Sequence, residues 1–570
     1  MKAAKVFLEM LKEYEVDCVF GLPGETTLPI YVEWLNYPDI KHIMARDERS
    51  AAYMADGYAR VSFKPGIVEA PSAGAAHILP AIVEAYKASI PLIAITTDVP
   101  LHMEKKNMLT GFNQSSLFSG VTKETHTITK SEEIPYIIRR AFRIATTGKP
   151  GPVHIRIPMD ILEQDVNLRD IYAQKDFVRY PGHRFTAEAE KVMEATDLLL
   201  QSEKPLIICG QGVLLSQAWD EVIKLAELLR IPIGTTITGK GVINSDHPLS
   251  IGVIGSRGGT SFSNKIVDEA DTIFYIGCNT DSAATDNWTL PSPYNGKNII
   301  HLDVSEVEAG NVYKTCVIMI GDAKATLKLM IKLAKEKTYD NTARSLWVKT
   351  ISELREKYNT ELKEKLQKIK SLHPLKILKA LENYIPEKHI IVADAGVSAI
   401  YTSAFWPVRK PGRSLIFNYS MGSLGYSLPA SVGAYMAKPD HTIVTLMGDG
   451  SFGFVAGEFE TVRRINANIK IFLYNNRSFG WIRATLHFKY KAKYFSTDFC
   501  EVDYCKIAEG YRIPAYSVNS LHDLNEIFKR VFREEGPAFI ELKVEPEDKE
   551  VPPVPKWVKA CADKEVEMFY

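Results

Sequence analysis

The sequence predicts an α/β protein built of three doubly wound parallel-sheet domains. The chain has 570 residues, more than a single hydrophobic core supports, and about 150 residues per domain suggests three or four units, most simply three. Short apolar runs alternate with helical patterns along most of its length, as expected for parallel strands buried on both faces. Two connectors, a polar one from about 164 to 184 and a charged helical one from about 343 to 371, divide that alternation into thirds.

The first third, residues 1–165, opens on a helix, because Met1 to Leu8 has neither a long apolar core nor a small-residue cleavage site. Strands are predicted at Cys18–Phe20, at Leu92–Thr96 and in the proline-bounded stretch Lys149–Pro158, with a helix over Ala51–Arg60. The second third, 185–340, carries strand candidates at Pro205–Gly210, Thr272–Gly277 and Asn298–Leu302. The last, 372–548, carries them at His389–Asp394, Thr442–Met447 and Ile469–Tyr474. A tail, 549–570, begins with Val551-Pro552-Pro553-Val554-Pro555-Lys556-Trp557, which predicts extended chain because proline fixes φ and removes a donor.

Composition excludes several function classes. Lys+Arg and Asp+Glu are both 69, so no net charge favours nucleic acid or an anionic membrane as partner. No apolar run approaches the roughly 18 residues of a membrane helix. The seven cysteines, Cys18, Cys209, Cys278, Cys316, Cys500, Cys505 and Cys561, form no CxxC pair, and their odd number argues against a disulfide framework. Buried thiols in a reducing cytoplasm are the expectation.

The chemistry is concentrated in two short segments. Gly448-Asp449-Gly450-Ser451 follows one predicted strand, and Asn475-Asn476 follows the next, with residues 451 to 474 between. Acidic and amide oxygens thus sit at the carboxyl ends of parallel strands, where open α/β sheets bind ligands. The glycines let backbone approach a diphosphate. Asp449 and the Asn476 amide oxygen are hard ligands suited to magnesium, and the Ser478 carbonyl adds a third. Gly-Asp-Gly alone is an ordinary turn. Its pairing with Asn-Asn at this spacing is specific, and it is similar to the binding signature for thiamine diphosphate (ThDP).

From that signature outward, about residues 3 to 545 resemble the ThDP-dependent superfamily of acetolactate synthase, benzoylformate decarboxylase, pyruvate oxidase and 2-hydroxyacyl-CoA lyase. Phe20–Gly24, Arg49–Arg60, Ala145–Val153, Thr235-Thr236, Gly239–Gly241, Asp246–Pro248 and Gly422–Ala430 carry the rest of the likeness. The resemblance implies a pyrimidine-binding domain at 1–165, a central domain at 185–340 and a diphosphate- and magnesium-binding domain at 372–548. It implies ThDP and Mg2+ as cofactors and a homodimer or homotetramer as the assembly.

The resemblance also assigns roles. Glu48, just before the Ala51–Arg60 helix, stands where the superfamily places the acid that meets the aminopyrimidine N1′; read locally it is a solvated helix-start glutamate. Leu424 is implied as the apolar wedge that bends the cofactor. Asp394, Gly396, Val397 and Ser398 resemble diphosphate and pyrimidine contacts, and Ala73-Gly74 follow a first-domain strand. His77 is either substrate-facing or a structural histidine.

Departures limit the substrate. On the loop Asn107–Phe118, Leu109-Thr110 stand where acetolactate synthases carry Phe-Gln, and there is no His-His pair of the pyruvate-decarboxylase kind. Thr110, Gln114, His77, Trp481 and Ile482 are the substrate-pocket candidates. Gly277 to Trp288 lacks the arginines of flavin-binding relatives, so FAD is expected to be absent. The expected activity is decarboxylation of a 2-oxo acid with carboligation. The alternative is a C–C lyase or decarboxylase of larger 2-oxo acids or of a 2-hydroxyacyl-CoA substrate.

Overall fold

A computed structural model describes residues 1–294 and 296–562. It contains three six-stranded sheets, all parallel and flanked by helices. The first comprises β1 (Cys18–Gly21), β2 (Lys41–Met44), β3 (Gly66–Ala70), β4 (Leu92–Asp98), β5 (Glu124–Thr127) and β6 (Val153–Pro158), in the order β2-β1-β3-β4-β6-β5. The second comprises β7 (Pro205–Cys209), β8 (Ile233–Thr235), β9 (Ser250–Val253), β10 (Thr272–Ile276), β11 (Asn298–Asp303) and β12 (Val317–Ile320), ordered β12-β11-β10-β7-β8-β9. The third comprises β13 (His389–Ala393), β14 (Leu415–Phe417), β15 (Thr442–Gly448), β16 (Ile469–Asn475), β17 (Ala515–Val518) and β18 (Ala538–Lys543), ordered β14-β13-β15-β16-β18-β17. The central strands are buried end to end, β4 and β16 at every residue. That is why they read in the sequence as largely apolar runs, interrupted in β16 by Lys470, whose ammonium donates to the Glu534 and Gly536 carbonyls.

The first and third domains share one core. Helix Glu48–Ser62 crosses helix Ser427–Ala437 with backbone against backbone. A Cβ on Gly57 would lie 2.1 Å from the Ala430 carbonyl oxygen, and one on Gly433 would lie 1.8 Å from that of Met54. Beside the crossing, the fully buried Arg60 pairs with Asp56 at 2.6 Å and with Glu84 at 3.6 Å. Glu84 in turn accepts the Met421 N–H at 2.9 Å, so the first domain holds the loop that leads to Leu424.

The tail differs from the expectation. Residues 549–554 form turns and irregular chain, and the tail becomes helical over Pro555–Ala562. Proline is tolerated at the first helical position, where its missing N–H would have had no partner. Trp557 thereby packs on Trp481, the two rings tilted with centroids 4.3 Å apart. Among the described residues no helix is long and apolar enough to cross a membrane. Six cysteines carry free thiols, Cys18, Cys209 and Cys278 in the core, and the Cys561 side chain lies outside the described residues.

Candidate functional site

β15 and β16 are neighbours in register, with Gly448 opposite Tyr474. Each strand therefore delivers its next polar residues, Asp449 and Asn476, to the same edge of the sheet. Asp449 is buried; its Oδ1 accepts the Gly450 N–H at 2.8 Å, while Oδ2 has no partner among the described residues. Burial pushes its carboxyl up to about 6. Arg477 takes a left-handed φ of +53°, and the turn brings Ser478 back so that its N–H and hydroxyl donate to Asn476 Oδ1 at 3.0 and 3.2 Å. On the other side, Asn476 Nδ2 donates to Glu547 Oε2 at 3.0 Å. Glu547 reaches this position only because residue 480 is glycine, where a Cβ would sit 1.6 Å from Oε2. Burial and the charge of Asp449 raise the Glu547 pKa to about 7.

These groups face a cavity of about 480 Å3. Gly396, Val397 and Ser398 at the start of helix Val397–Phe405, Leu424, and Gly448 to Ser451 line it; Trp481 and Ile482 form another part of the wall. A Cβ on Gly396, Gly422 or Gly448 would meet nothing within 4 Å, so these glycines open onto space that a ligand can fill. Buried Asp394 ties the cradle together by accepting from the Ser427 N–H at 3.2 Å and from the hydroxyls of Ser427 and Ser451. Ser451 Oγ also accepts the Gly425 N–H at 2.7 Å and fixes the turn after Leu424. The hydroxyls of Ser451 and Ser398 are spent on the scaffold, Ser398 donating to the Asp394 carbonyl at 2.9 Å. An orphan carboxylate oxygen, open glycines and helix N–H groups suit a metal-bound diphosphate. Among the described residues no three His, Cys, Asp or Glu side chains cluster as a metal cage. One carboxylate, one amide and one backbone carbonyl make a donor set of a different kind, suited to a hard ion.

A second cluster forms in the first domain. Glu48 opens its helix behind the Asp47 cap, which accepts the Arg49 N–H at 2.8 Å. Its Oε2 lies 3.0 Å from His77 Nδ1, and its Oε1 would lie 2.6 Å from a Cβ on Gly74. Glu48, Ala73, Gly74 and His77 are thus brought together, with the His77 side chain 63% exposed. None of them lines the Asp449 cavity, whose wall takes residues only from the second and third domains. Thr110 is exposed at a φ of +69°, and its carbonyl accepts the Ser72 hydroxyl at 2.7 Å. Gln114 is fully buried, its Oε1 accepting from Thr96 at 2.5 Å and its Nε2 donating to the Thr97 carbonyl at 3.2 Å. Gln114 is thus held inside the first domain and does not line the Asp449 cavity.

Another cavity lies at the ends of the second domain's strands, where Gly210, Gly212 and Gly277 meet, with walls also from the first and third domains. These glycines serve packing: a Cβ on Gly210 would lie 2.1 Å from the Gly277 carbonyl oxygen, and one on Gly212 would lie 2.6 Å from Gly277 Cα. They differ in this from the open glycines of the third domain. Two charged residues of the Asp449 cavity went unread in the sequence, Glu547 and Arg257. Glu547 lies in an unpatterned Glu-Pro-Glu-Asp stretch. Arg257, between Gly255 and Gly258-Gly259, has only its flanking glycines as a signal.

Comparison with known proteins agrees with this geometry. Residues 1–117 match the thiamine pyrophosphate enzyme N-terminal TPP binding domain, 192–330 the central domain, and 394–542 the C-terminal TPP binding domain. The chain is 31% identical to a probable acetolactate synthase large subunit of Methanococcus aeolicus, over 96% of this chain and 92% of that protein. A probable acetolactate synthase large subunit of Methanocaldococcus jannaschii is also 31% identical, with the same coverage. The acetolactate synthase large subunit of Lactococcus lactis is 29% identical, over 97% of this chain and 94% of that protein.

Proposed function

This chain belongs to the thiamine pyrophosphate enzyme family, of the acetolactate synthase type, and from that membership we propose a magnesium-assisted decarboxylation of a 2-oxo acid followed by carboligation. The observation that carries the magnesium reading is the partnerless Asp449 Oδ2 beside Asn476, at the mouth of the open-glycine cradle.

Asp449, the Asn476 amide oxygen and the Ser478 carbonyl would hold Mg2+. Backbone N–H groups of Gly396 to Ser398 and Gly448 to Ser451 would hold the diphosphate. When bound, ThDP supplies a nucleophilic thiazolium carbon and an electron sink for the decarboxylated donor. Leu424 would wedge between the two rings of the cofactor. Glu48 would donate a hydrogen bond to N1′ and hold a proton there, with His77 alongside it. Trp481 and Ile482 would exclude water from the reacting face.

Glu48 does not line the Asp449 cavity of its own chain, which supports a site shared by two chains. Exposed apolar side chains at the cavity, Met421 (47%) and Ile482 (52%), suit burial by a second copy. A two-fold dimer, alone or as half of a tetramer, is the proposed assembly. Residues 1–165, 185–340 and 372–548 would be its pyrimidine-binding, central and diphosphate-binding domains.

Product identification tests the reaction. Enzyme loaded with ThDP and Mg2+ is given pyruvate, aryl 2-oxo acids and 2-hydroxyacyl-CoA in parallel. A 2-hydroxy-2-methyl-3-oxo acid formed from pyruvate is the expected outcome. Cleavage of 2-hydroxyacyl-CoA with no product from pyruvate would overturn the carboligase reading.

A further inference from the structure

A pinned turn delivers the His77 imidazole to Glu48. The turn Ala73–Ala76 follows β3. Ser72 fixes its start: the N–H donates to Thr26 Oγ1 at 3.0 Å, and the hydroxyl lies 3.1 Å from Asp98 Oδ1 and 2.7 Å from the Thr110 carbonyl oxygen. Ile78 fixes its end, fully buried and donating its N–H to the Gly74 carbonyl at 3.2 Å. The His77 N–H closes on the same carbonyl at 2.9 Å. Two residues of this segment meet the Glu48 carboxyl. Gly74 makes room for Oε1, and His77 bonds Oε2.

Packing does not explain this side chain. The core histidines have both ring nitrogens bonded, His154 to two threonine hydroxyls and His301 to the Cys278 carbonyl and the Gly310 N–H. The His77 side chain is 63% exposed, and among the described residues its ring has one hydrogen-bond partner, Glu48, with Nδ1 lying 3.0 Å from Oε2. An imidazole so exposed buries little apolar surface. Glu48 likewise has no other side-chain hydrogen bond among the described residues. The cation beside it in sequence is engaged elsewhere: Arg49 Nη2 donates to the Phe454 carbonyl at 2.8 Å, and Nε lies 3.8 Å from Asp47.

We propose that His77 is a positioning residue whose Nδ1–H donates to Glu48 Oε2 and so keeps the carboxyl proton on Oε1. This rests on the reading above of Glu48 as the acid that meets N1′. A carboxyl has one proton for its two oxygens. The oxygen that faces N1′ must carry that proton in order to donate. The other oxygen then only accepts, and Nδ1–H is the donor placed to meet it. When the proton moves, the Oε1–H bond breaks and an N1′–H bond forms. The negative charge left on the carboxylate then strengthens the bond from the same donor. The proton returns by the reverse path, so none is consumed. Without the donor the two oxygens are equivalent, and the carboxyl is free to turn its hydroxyl away from N1′.

The test compares wild type with two variants. His77→Phe keeps a ring and loses the donor. His77→Asn loses the ring and keeps a donor, since its Nδ2 stands as many bonds from the backbone as the histidine Nδ1. All are loaded with ThDP and Mg2+, and no substrate is added. The readouts are exchange of the C2 proton of bound ThDP into deuterated solvent and the ThDP Kd by calorimetry. Loss of a hydrogen bond to a charged group predicts exchange slowed about tenfold or more in His77→Phe, with most of the rate recovered in His77→Asn. The ThDP Kd should be unchanged in both, because His77 lies outside the diphosphate cradle. Native exchange in His77→Phe overturns the inference, since a residue that serves only the substrate leaves this step untouched. Exchange as slow in His77→Asn as in His77→Phe overturns it too, because the ring and not the donor would then matter. So does a weakened ThDP Kd that accounts for the loss, which would assign His77 to holding the cofactor. Slowed exchange in His77→Phe beside native exchange in Glu48→Gln would instead overturn the reading of Glu48 on which the inference rests.

Discussion

Asn476 and Glu547 are joined side chain to side chain, the amide Nδ2 donating to Oε2 at 3.0 Å. The Ser478 N–H, which can only donate, bonds the other end of the amide and so fixes that end as the oxygen Oδ1, with Nδ2 turned to Glu547. Asp449→Ala and Asn476→Ala should abolish ThDP binding in the presence of Mg2+. Glu547→Ala, which frees the amide to rotate, should weaken it about tenfold or more. Calorimetric titration of ThDP at fixed Mg2+ decides this, and undiminished affinity in Asp449→Ala would remove the metal assignment.

Glu48→Gln should fold and bind ThDP with near-native affinity, since the residue lies outside the diphosphate cradle. Activation of the cofactor should slow by about a hundredfold or more, in the range of lost general acid–base catalysis. The measurement is exchange of the C2 proton of bound ThDP into deuterated solvent, read by NMR after acid quench. Native exchange in this variant would show that another acid serves N1′.

Complementation tests the shared site. Glu48→Gln and Asp449→Ala chains are each expected to be inactive. When they are mixed so that subunits exchange, about half the dimers are hybrid and each has one intact site, which returns about a quarter of wild-type activity. Verified hybrids without activity would place the whole site in one chain.

His154 gives a pH dependence of stability. It is fully buried, stacks on Phe118, and its ring nitrogens meet the Thr96 and Thr125 hydroxyls at 2.7 and 2.6 Å. Burial first, then the neighbouring charge of Arg156, lowers its pKa to about 3. The unfolded chain takes up a proton near the ordinary value of 6.5, while the folded chain refuses it until about 3. This stability is therefore fully present above pH 6.5 and is lost as the pH falls, by about 2 kcal/mol on reaching pH 5. His154→Gln should lose less of its urea midpoint between pH 7.5 and pH 5 than wild type does. His301 and His373, each lowered to about 4 by burial, keep some dependence in both proteins. Identical pH profiles would show that the His154 proton is not excluded.

Much of the fold was legible because strands buried on both faces are largely apolar: Leu92–Asp98, Thr442–Gly448 and Ile469–Asn475 stand out in the sequence for that reason. Edge and short strands did not. Glu124–Thr127 is half-buried and polar, and Ile233–Thr235 and Leu415–Phe417 are three residues each, too short to show a period. The tail misled because proline suits extended chain and a first helical turn equally, and contact with Trp481 chose the helix. Asp449 and Asn476 were legible as strand-end residues. Arg257 and Glu547 were not, since each owes its place to a contact distant in sequence, Gly258 on Ser403 and Glu547 on Asn476.

The crossing at Gly57 and Gly433 leaves no side-chain layer between the two helices. A spacer with nothing compressible in it acts as a gauge block, and its thickness is set by atomic radii alone. The helix that begins at Glu48 and the loop that ends at Leu424 are calibrated against that block, whichever chain's cofactor each of them serves. Trp481, Ile482 and Arg257 stand clear of it, on elements from other parts of the chain. Substrate preference can therefore drift through these wall residues over evolutionary time while the spacing that activates the cofactor is inherited unchanged.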